Sequence, residues 1–526
     1  MKRRILKSAI ALLLTAVSVF SVCGVALAAT ENYPVIYIYG RTAIYNDVST
    51  DHPTQIRYSR DDAMMNLVKQ AVPYAARAVT MGDWDTYNEK VYNLLMDMFE
   101  GFPLDENGEV CNDSGVLFTW SEKDISSNYM NTNINTYNFQ YDARLSPLEI
   151  AVDLNRYIEA VKRVTGRSKV SIVARCLGTN VLFAYLYKYQ EKNKYKGIDS
   201  IVLYDGSIYG VDMLDAAMCG EIKADANALG NFLNSYDPNV ENENLATMLA
   251  LSLGMLKTSY GINISASVVD NFYSHMKDGC VKRFVKDTYA TSPGFWSMVY
   301  NKYDEAMEFL FDEPGDLDKY SVLISKVNTY RLAVQERAPK MIKDMKAAGV
   351  HVAMVCKYGF QGYPLYEDCN KISDNTAAVW RQSFFATGSD YDSTLGKSYV
   401  NARVKAGYGD YISPDEQVDA STGILPDTTW YIKNYQHNQF LGCVDPLLLA
   451  ICRNKLNVHT NAKWPQFMIL EKNGSTYKAL PMTAENSDPD NRIEHDGDNT
   501  AAMNFFQRII SFFRYFIGLI RTVLGL

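Results

Sequence analysis

The sequence predicts an α/β fold, a mostly parallel sheet flanked by helices, and three observations carry that prediction. The runs KVSIVA (169–174) and IDSIVLY (198–204) are almost continuously apolar, as strands buried on both faces are. A helical stretch joins them, so strand, turn, helix and strand form a βαβ unit. The strand and helix alternation stops near Asp225 and resumes with helix APKMIKDMKAAG and strand VHVAMVCKYG. A helical insertion therefore interrupts one sheet rather than opening a separate domain.

Taken in order, the chain begins with Lys2, Arg3, Arg4 and Lys7, an apolar run from Ala9 to Phe20, and Ala26-Leu27-Ala28, the pattern of a secretory leader over 1–28. Phe20-Ser21-Val22 before Cys23 lacks the small residue of a lipoprotein site, so secretion without a lipid anchor is expected. PVIYIY (34–39) reads as a buried strand running into the loop Gly40-Arg41-Thr42, and helices follow from about Asp61 to Phe102. YNFQYDARLS (137–146) gives a short strand with a charged exit. Pro147 opens a helix that keeps Ile150, Leu154, Ile158 and Val161 on one face and stops at Gly166.

These elements divide the chain into a first core part over 29–224, a helical cap over 225–337 and a second core part over 338–483. An acidic stretch over 484–500, too poor in apolar residues to offset the entropy of ordering, reads as a flexible linker. Its acids lack the spacing of a calcium loop, and no metal or cofactor is expected. The final segment, 501–526, is a basic amphipathic helix with a wide aromatic and aliphatic face. Arg514 and Arg521 interrupt it too often for a comfortable span, so it suits a helix lying in the headgroup region of a membrane; packing on the protein body or on a partner is the alternative.

A net charge of −8, with no long basic block, argues against nucleic acid as a partner. Eight cysteines remain after the leader, scattered rather than regularly spaced. Cys356 and Cys369 are close enough along the chain to invite a disulfide, and Cys443 and Cys452 sit nine apart; spacing alone does not decide the pairing.

The turn after KVSIVA reads Ala174-Arg175-Cys176-Leu177-Gly178. It resembles the GxSxG nucleophile elbow of α/β hydrolases, with alanine for the first glycine and cysteine for serine. The surrounding LNRYIEAVKRVTGRSKVSIVARCLGTNV looks like lipase text, and Tyr141-Asp142-Ala143-Arg144 resembles the YDWR segment of lecithin:cholesterol acyltransferase-like lipases, with alanine for its tryptophan. The resemblance covers roughly 33–220 and 340–445. It implies an α/β-hydrolase fold with an inserted helical cap.

It also implies a nucleophile, an acid and a histidine, in that order. His52 precedes the elbow, His275 lies in the cap, His351 comes before any acid loop and His495 sits in the linker. His437 is therefore the expected base, with His459 the weaker choice. Ser373-Asp374-Asn375-Thr376 resembles the loop whose aspartate orients the imidazole, which gives Asp374 that role; Asp368 and Asp205 are the alternatives. The oxyanion hole is expected from the backbone amides of Leu177 and of Arg41 or Thr42.

A thiol at a helix start, beside an imidazolium, is readily deprotonated and nucleophilic, which favours acyl transfer through a thioester. Cysteine-type relatives such as dienelactone hydrolases resemble this elbow. The competing reading is a packing thiol in a scaffold that has lost its serine and only binds ligand. Ser207, in Gly206-Ser207-Ile208-Tyr209-Gly210, is out of phase with the elbow and is expected to shape the pocket wall, while Phe295 and Trp296 of the cap are expected to line an apolar acyl site. The expectation is a secreted, surface-associated enzyme that cleaves or transfers acyl groups of lipid or other apolar esters, with Cys176, His437 and Asp374 as its triad.

Overall fold

A computed structural model describes residues 33–40, 43–56, 61–131, 135–226, 228, 259–439, 441–473 and 476–487. The leader, residues 229–258 of the expected cap and the terminal helix of 501–526 lie outside the described residues.

Eight strands form the central sheet: β1 Val35–Ile38, β2 Thr136–Phe139, β3 Val170–Arg175, β4 Ile198–Tyr204, β5 His351–Tyr358, β6 Thr429–Lys433, β7 Phe467–Asn473 and β8 Thr476–Pro481. Their order is β8-β7-β6-β5-β4-β3-β1-β2, and only the β7–β8 pairing is antiparallel. The fold is α/β, as the apolar runs predict. The edge hairpin β7–β8 completes the sheet beyond the elements read from the sequence.

Both faces of the sheet are buried because alternate residues of each strand point to opposite sides. One set, including Ile36, Ile38, Ile172, Ala174, Ile201 and Met354, packs on the helices α3 Pro147–Thr165, α4 Leu177–Tyr185 and α5 Ala338–Ala347. The other set, including Val35, Tyr37, Val173, Val202 and Val355, packs on α6 Asp445–Asn454 through Leu447, Leu448 and Ile451. In α3 the apolar stripe of Ile150, Leu154, Ile158 and Val161 is buried, and Gly166 ends the helix at φ 65°.

The chain runs from β1 outward to β2, then back across β1 to β3 and onward to β4 through β7. The order reverses beside β1, so the chain leaves β1 and β3 toward opposite halves of the sheet at its carboxyl edge. A set of helices between β4 and β5 includes Ser259–Met276, Pro293–Trp296, Tyr303–Leu310 and Ser321–Tyr330, and it carries its own apolar cluster around Trp296, Tyr303 and Leu310.

The YDAR turn ties this helical set to the sheet. Arg144 is fully buried, pairs with Asp142 at 2.6 Å and donates to the carbonyls of Gly101 and Phe102 at 2.9 Å each. Gly294 donates to the Arg144 carbonyl at 2.9 Å, and a Cβ at that glycine would run into the carbonyl of Ala143. Of the expected linker, 484–487 lie within the described residues, and Ser487 is buried with its carbonyl accepting from Lys433.

Candidate active site

Cys176 stands between β3 and α4 at φ 48° and ψ −127°, a backbone conformation that a non-glycine residue holds only when its surroundings impose it. Its N–H donates to the Tyr204 carbonyl at 3.1 Å, and its own carbonyl accepts from the Thr179 N–H at 2.9 Å and the Thr179 hydroxyl at 2.7 Å. Two glycines make room for the turn. A Cβ on Gly178 would press onto the Ile38 carbonyl, and one on Gly40 would lie 2.7 Å from the Cys176 Cβ and 3.0 Å from the Leu177 nitrogen. The loop leaving β1 is thus pressed against the apex of the elbow. Leu177 is the first residue of α4; Arg41 and Thr42 lie outside the described residues.

Every described cysteine is a free thiol, Cys356 and Cys369 included. Cys356 points from the interior of β5 into the main core, whereas Cys369 is buried against Ala216 and Tyr366 in a separate cluster. Cys452 is locked in the core face of α6, while Cys443 is half-buried in the loop before it. Burial pushes Cys219, Cys280, Cys369 and Cys452 up to about 12. Cys176 is only partly buried.

His437 lies on the loop after β6, and Asp374 on the loop after β5. The two are joined twice: the His437 N–H donates to the Asp374 carbonyl at 2.7 Å, and its Nδ1 lies 2.7 Å from Asp374 Oδ2. Asp374 Oδ1 accepts from the N–H groups of Thr376 and Ala377 at 3.0 and 2.8 Å, which fixes the carboxylate. A carboxylate at Nδ1 sets the tautomer with the proton on that nitrogen and leaves Nε2 for chemistry. Burial opposes charge on the ring, but Asp374, then the Cys176 thiolate, then Asp205 outweigh it and raise the His437 pKa well above its ordinary value.

The other histidines stand elsewhere. His459 is exposed against Tyr411, His275 stacks on Trp84 at 4.1 Å, and His351 begins β5; His495 lies outside the described residues. Asp368 is exposed on the far part of its loop.

Beneath the histidine lies a cluster that the motif search did not assemble. Asp205, at φ 40° after β4, is fully buried between Lys357 Nζ at 2.8 Å and Arg175 Nε at 2.9 Å, and its Oδ2 is 3.9 Å from His437 Nδ1. Arg175 also donates to the His437 carbonyl, and Lys357 donates to the carbonyls of Gln436, His437 and Gln439 at 3.4, 3.2 and 3.3 Å. Burial pushes the Asp205 carboxyl up, but Lys357 and Arg175 outweigh it and bring it down to about 2. Burial drives Lys357 down to about 8 against the pull of Asp205. One signal was present in the sequence: a charge ends each of three adjacent apolar strands.

Asp205, Asp374 and His437 present oxygen and nitrogen atoms within 4.8 Å of one another, the spacing of a metal site. The donors are already engaged, however: Asp205 by two cations and Asp374 by the imidazole at hydrogen-bond distance. The set fits an oriented histidine better than an ion.

Ser207 is fully buried and donates to Asn180 Oδ1 at 3.1 Å, behind α4. Trp296 is buried in the helical cluster, its indole donating to the Ala290 carbonyl at 2.8 Å with Phe311 stacked at 6.1 Å, so its ring serves packing there. Phe295 is half-buried against Phe102 and Tyr289.

The site sits where an open, mostly parallel α/β sheet binds ligands, at the carboxyl edge beside the reversal of strand order. No family model matches the chain, and no curated protein matches it. Among solved structures, the crystal structure of the Tle4-Tli4 complex is similar over 62% of this chain and 75% of that one, at 10% identity and a TM-score of 0.25. A prohormone-processing carboxypeptidase from Saccharomyces cerevisiae, KEX1(delta)p, is similar over 67% and 76%, at 10% identity and a TM-score of 0.21. Likeness this loose says nothing about chemistry, and the site stands on its own geometry.

Proposed function

We propose that the protein is an α/β hydrolase of the lipase-like branch that cleaves or transfers acyl groups through a Cys176-His437-Asp374 triad. Two observations support this reading: the strained turn at Cys176, cleared by Gly40 and Gly178, and an imidazole at His437 whose Nδ1 lies 2.7 Å from the Asp374 carboxylate.

In this reading the thiol proton passes to His437 Nε2 as the sulfur becomes nucleophilic. The Cys176 sulfur attacks the acyl carbon, a C–S bond forms, and the carbonyl electron pair moves onto oxygen, near the Leu177 N–H. Collapse expels the alcohol, which takes the proton from His437. Water or a second acceptor then gives a proton to His437, attacks the thioester and releases the thiolate. No cofactor enters the sequence.

The substrate class we propose is a lipid or other apolar acyl ester, met at a cell surface after secretion. The basic leader with its apolar run and the amphipathic terminal helix support this placement, and both lie outside the described residues. Among the described residues, no helix is long and apolar enough to cross a membrane. Turnover of short and long acyl esters by the purified chain, abolished by iodoacetamide and by Cys176→Ala, is the expected result. Turnover that survives Cys176→Ala contradicts the triad, and a chain that binds esters without turning them over is a binding protein on a hydrolase scaffold.

A further inference from the structure

We propose that the Tyr141 hydroxyl is a catalytic oxyanion donor, giving its O–H to the acyl carbonyl oxygen of a substrate held at Cys176. The inference rests on the acyl-transfer reading above and adds a residue to its site.

Strand register places Tyr141. Ile38 of β1 pairs with Phe139 of β2 on one side and with Ala174 of β3 on the other. Two residues beyond that row stand Tyr141, Gly40 and Cys176, in the same order across the carboxyl edge. Residues two apart on a strand share a face. The Tyr141 ring accordingly stacks on Phe139 at 6.0 Å, on the side of the sheet to which Ala174 contributes. Gly40 is pressed against Cys176, where a Cβ would lie 2.7 Å from the Cys176 Cβ. Tyr141 belongs to the main apolar core, and Cys176 packs against that same core.

The hydroxyl is an anomaly where it stands. Tyr141 is 5% exposed, and its oxygen is buried without a hydrogen-bond partner among the described residues. Buried hydroxyls normally find partners, and one that lacks a protein acceptor beside a nucleophile is matched by an acceptor arriving with the substrate. The YDAR turn holds the residue in place, since the neighbouring Asp142–Arg144 pair is fixed by buried hydrogen bonds. Burial first, and the Cys176 thiolate second, push the phenol well above its ordinary value, so it remains a donor throughout the neutral range.

When the sulfur attacks, the carbonyl oxygen gains a full charge and the Tyr141 O–H bond to it strengthens. Tyr141 keeps its proton throughout, because the leaving alcohol is protonated by His437.

The test compares wild type, Cys176→Ala and Tyr141→Phe with three probes: an acyl p-nitrophenyl ester, a trifluoromethyl ketone that forms a tetrahedral anion on the thiol, and iodoacetamide, which forms none. Tyr141→Phe is expected to lower kcat about 100-fold with little change in KM, and to weaken the ketone by a similar factor. Iodoacetamide should still alkylate Cys176 at the wild-type rate, and Tm should hold or rise because an unpaired buried hydroxyl is gone. Unchanged kcat and ketone affinity overturn the assignment, as does a loss matched by slower alkylation and a lower Tm, which marks a structural role. Wild-type turnover that does not need Cys176 overturns the acyl-transfer reading and this inference together. Should Tyr141→Phe fail to fold, 3-fluorotyrosine at 141, a stronger donor, is expected to tighten the ketone; unchanged affinity overturns the proposal.

Discussion

Asp374 grips His437 at two points, carbonyl to backbone N–H and carboxylate to ring Nδ1, each at 2.7 Å. Asparagine at 374 keeps the first bond and spoils the second, because an amide does not hold the imidazolium. Asp374→Asn is therefore expected to lower Tm, because the pair that raises the imidazole pKa is lost, and to lower kcat for a Cys176-dependent ester by about 1,000-fold. Steady-state kinetics beside thermal unfolding check the pair of outcomes.

Asp205 touches the same imidazole more loosely, at 3.9 Å, and its principal partners are cations. Replacing it by alanine leaves Lys357 and Arg175 buried together without a counter-charge, which is expected to cost about 3–5 kcal/mol. Urea unfolding of Asp205→Ala measures this. A stability loss larger than that of Asp374→Asn distinguishes the structural carboxylate from the catalytic one.

Gly178 faces the Ile38 carbonyl, a backbone atom that cannot rotate away. Gly178→Ala is expected to lower the unfolding free energy by about 1–3 kcal/mol, with α4 or β1 displaced. Its iodoacetamide rate at Cys176 should fall as well, since the elbow and the Gly40 loop move together. An alanine variant with wild-type Tm contradicts the close packing.

The buried charges also set the pH dependence of stability. Asp205 titrates near 2 in the fold, below its ordinary 3.8, so its contribution is fully present above about 3.8 and is lost as pH falls toward 2. His437 is raised above 6.5, so its contribution is complete below that value and fades as pH rises through the folded-state pKa. Urea midpoints should therefore drop on both flanks. His437→Gln should remove the loss of stability that His437 contributes as pH rises, leaving the opposite dependence of Lys357, which burial holds down to about 8, and Asp205→Asn should flatten the acid limb between about 4 and 2.

Much of this arrangement is legible in the sequence because its signals are local. KVSIVA, the turn at Cys176 and the helix from Leu177 are consecutive, and α3 runs from Pro147 to Thr165 with Gly166 after it, as its stop and start residues predict. The pairing of His437 with Asp374, 63 positions apart, follows from strand order, since each sits on the loop leaving one of two neighbouring strands. The Arg175–Asp205–Lys357 cluster is different. A charged residue in a sequence reads as solvent-facing, and only the parallel register of β3, β4 and β5 brings these three strand ends together. The same holds for Tyr141, whose importance depends on the row it shares with Gly40 and Cys176. The cysteines teach the same lesson: Cys356 and Cys369 are near along the chain, yet they lie in different apolar clusters.

The most direct measurement of the central claim is intact-protein and peptide mass spectrometry after acid quench of the chain reacting with a slow acyl ester. The account predicts a mass gain of one acyl group, mapped to Cys176, cleaved by hydroxylamine and missing in Cys176→Ala. Ester turnover with the acyl group on another residue, or with Cys176 unmodified throughout, contradicts it.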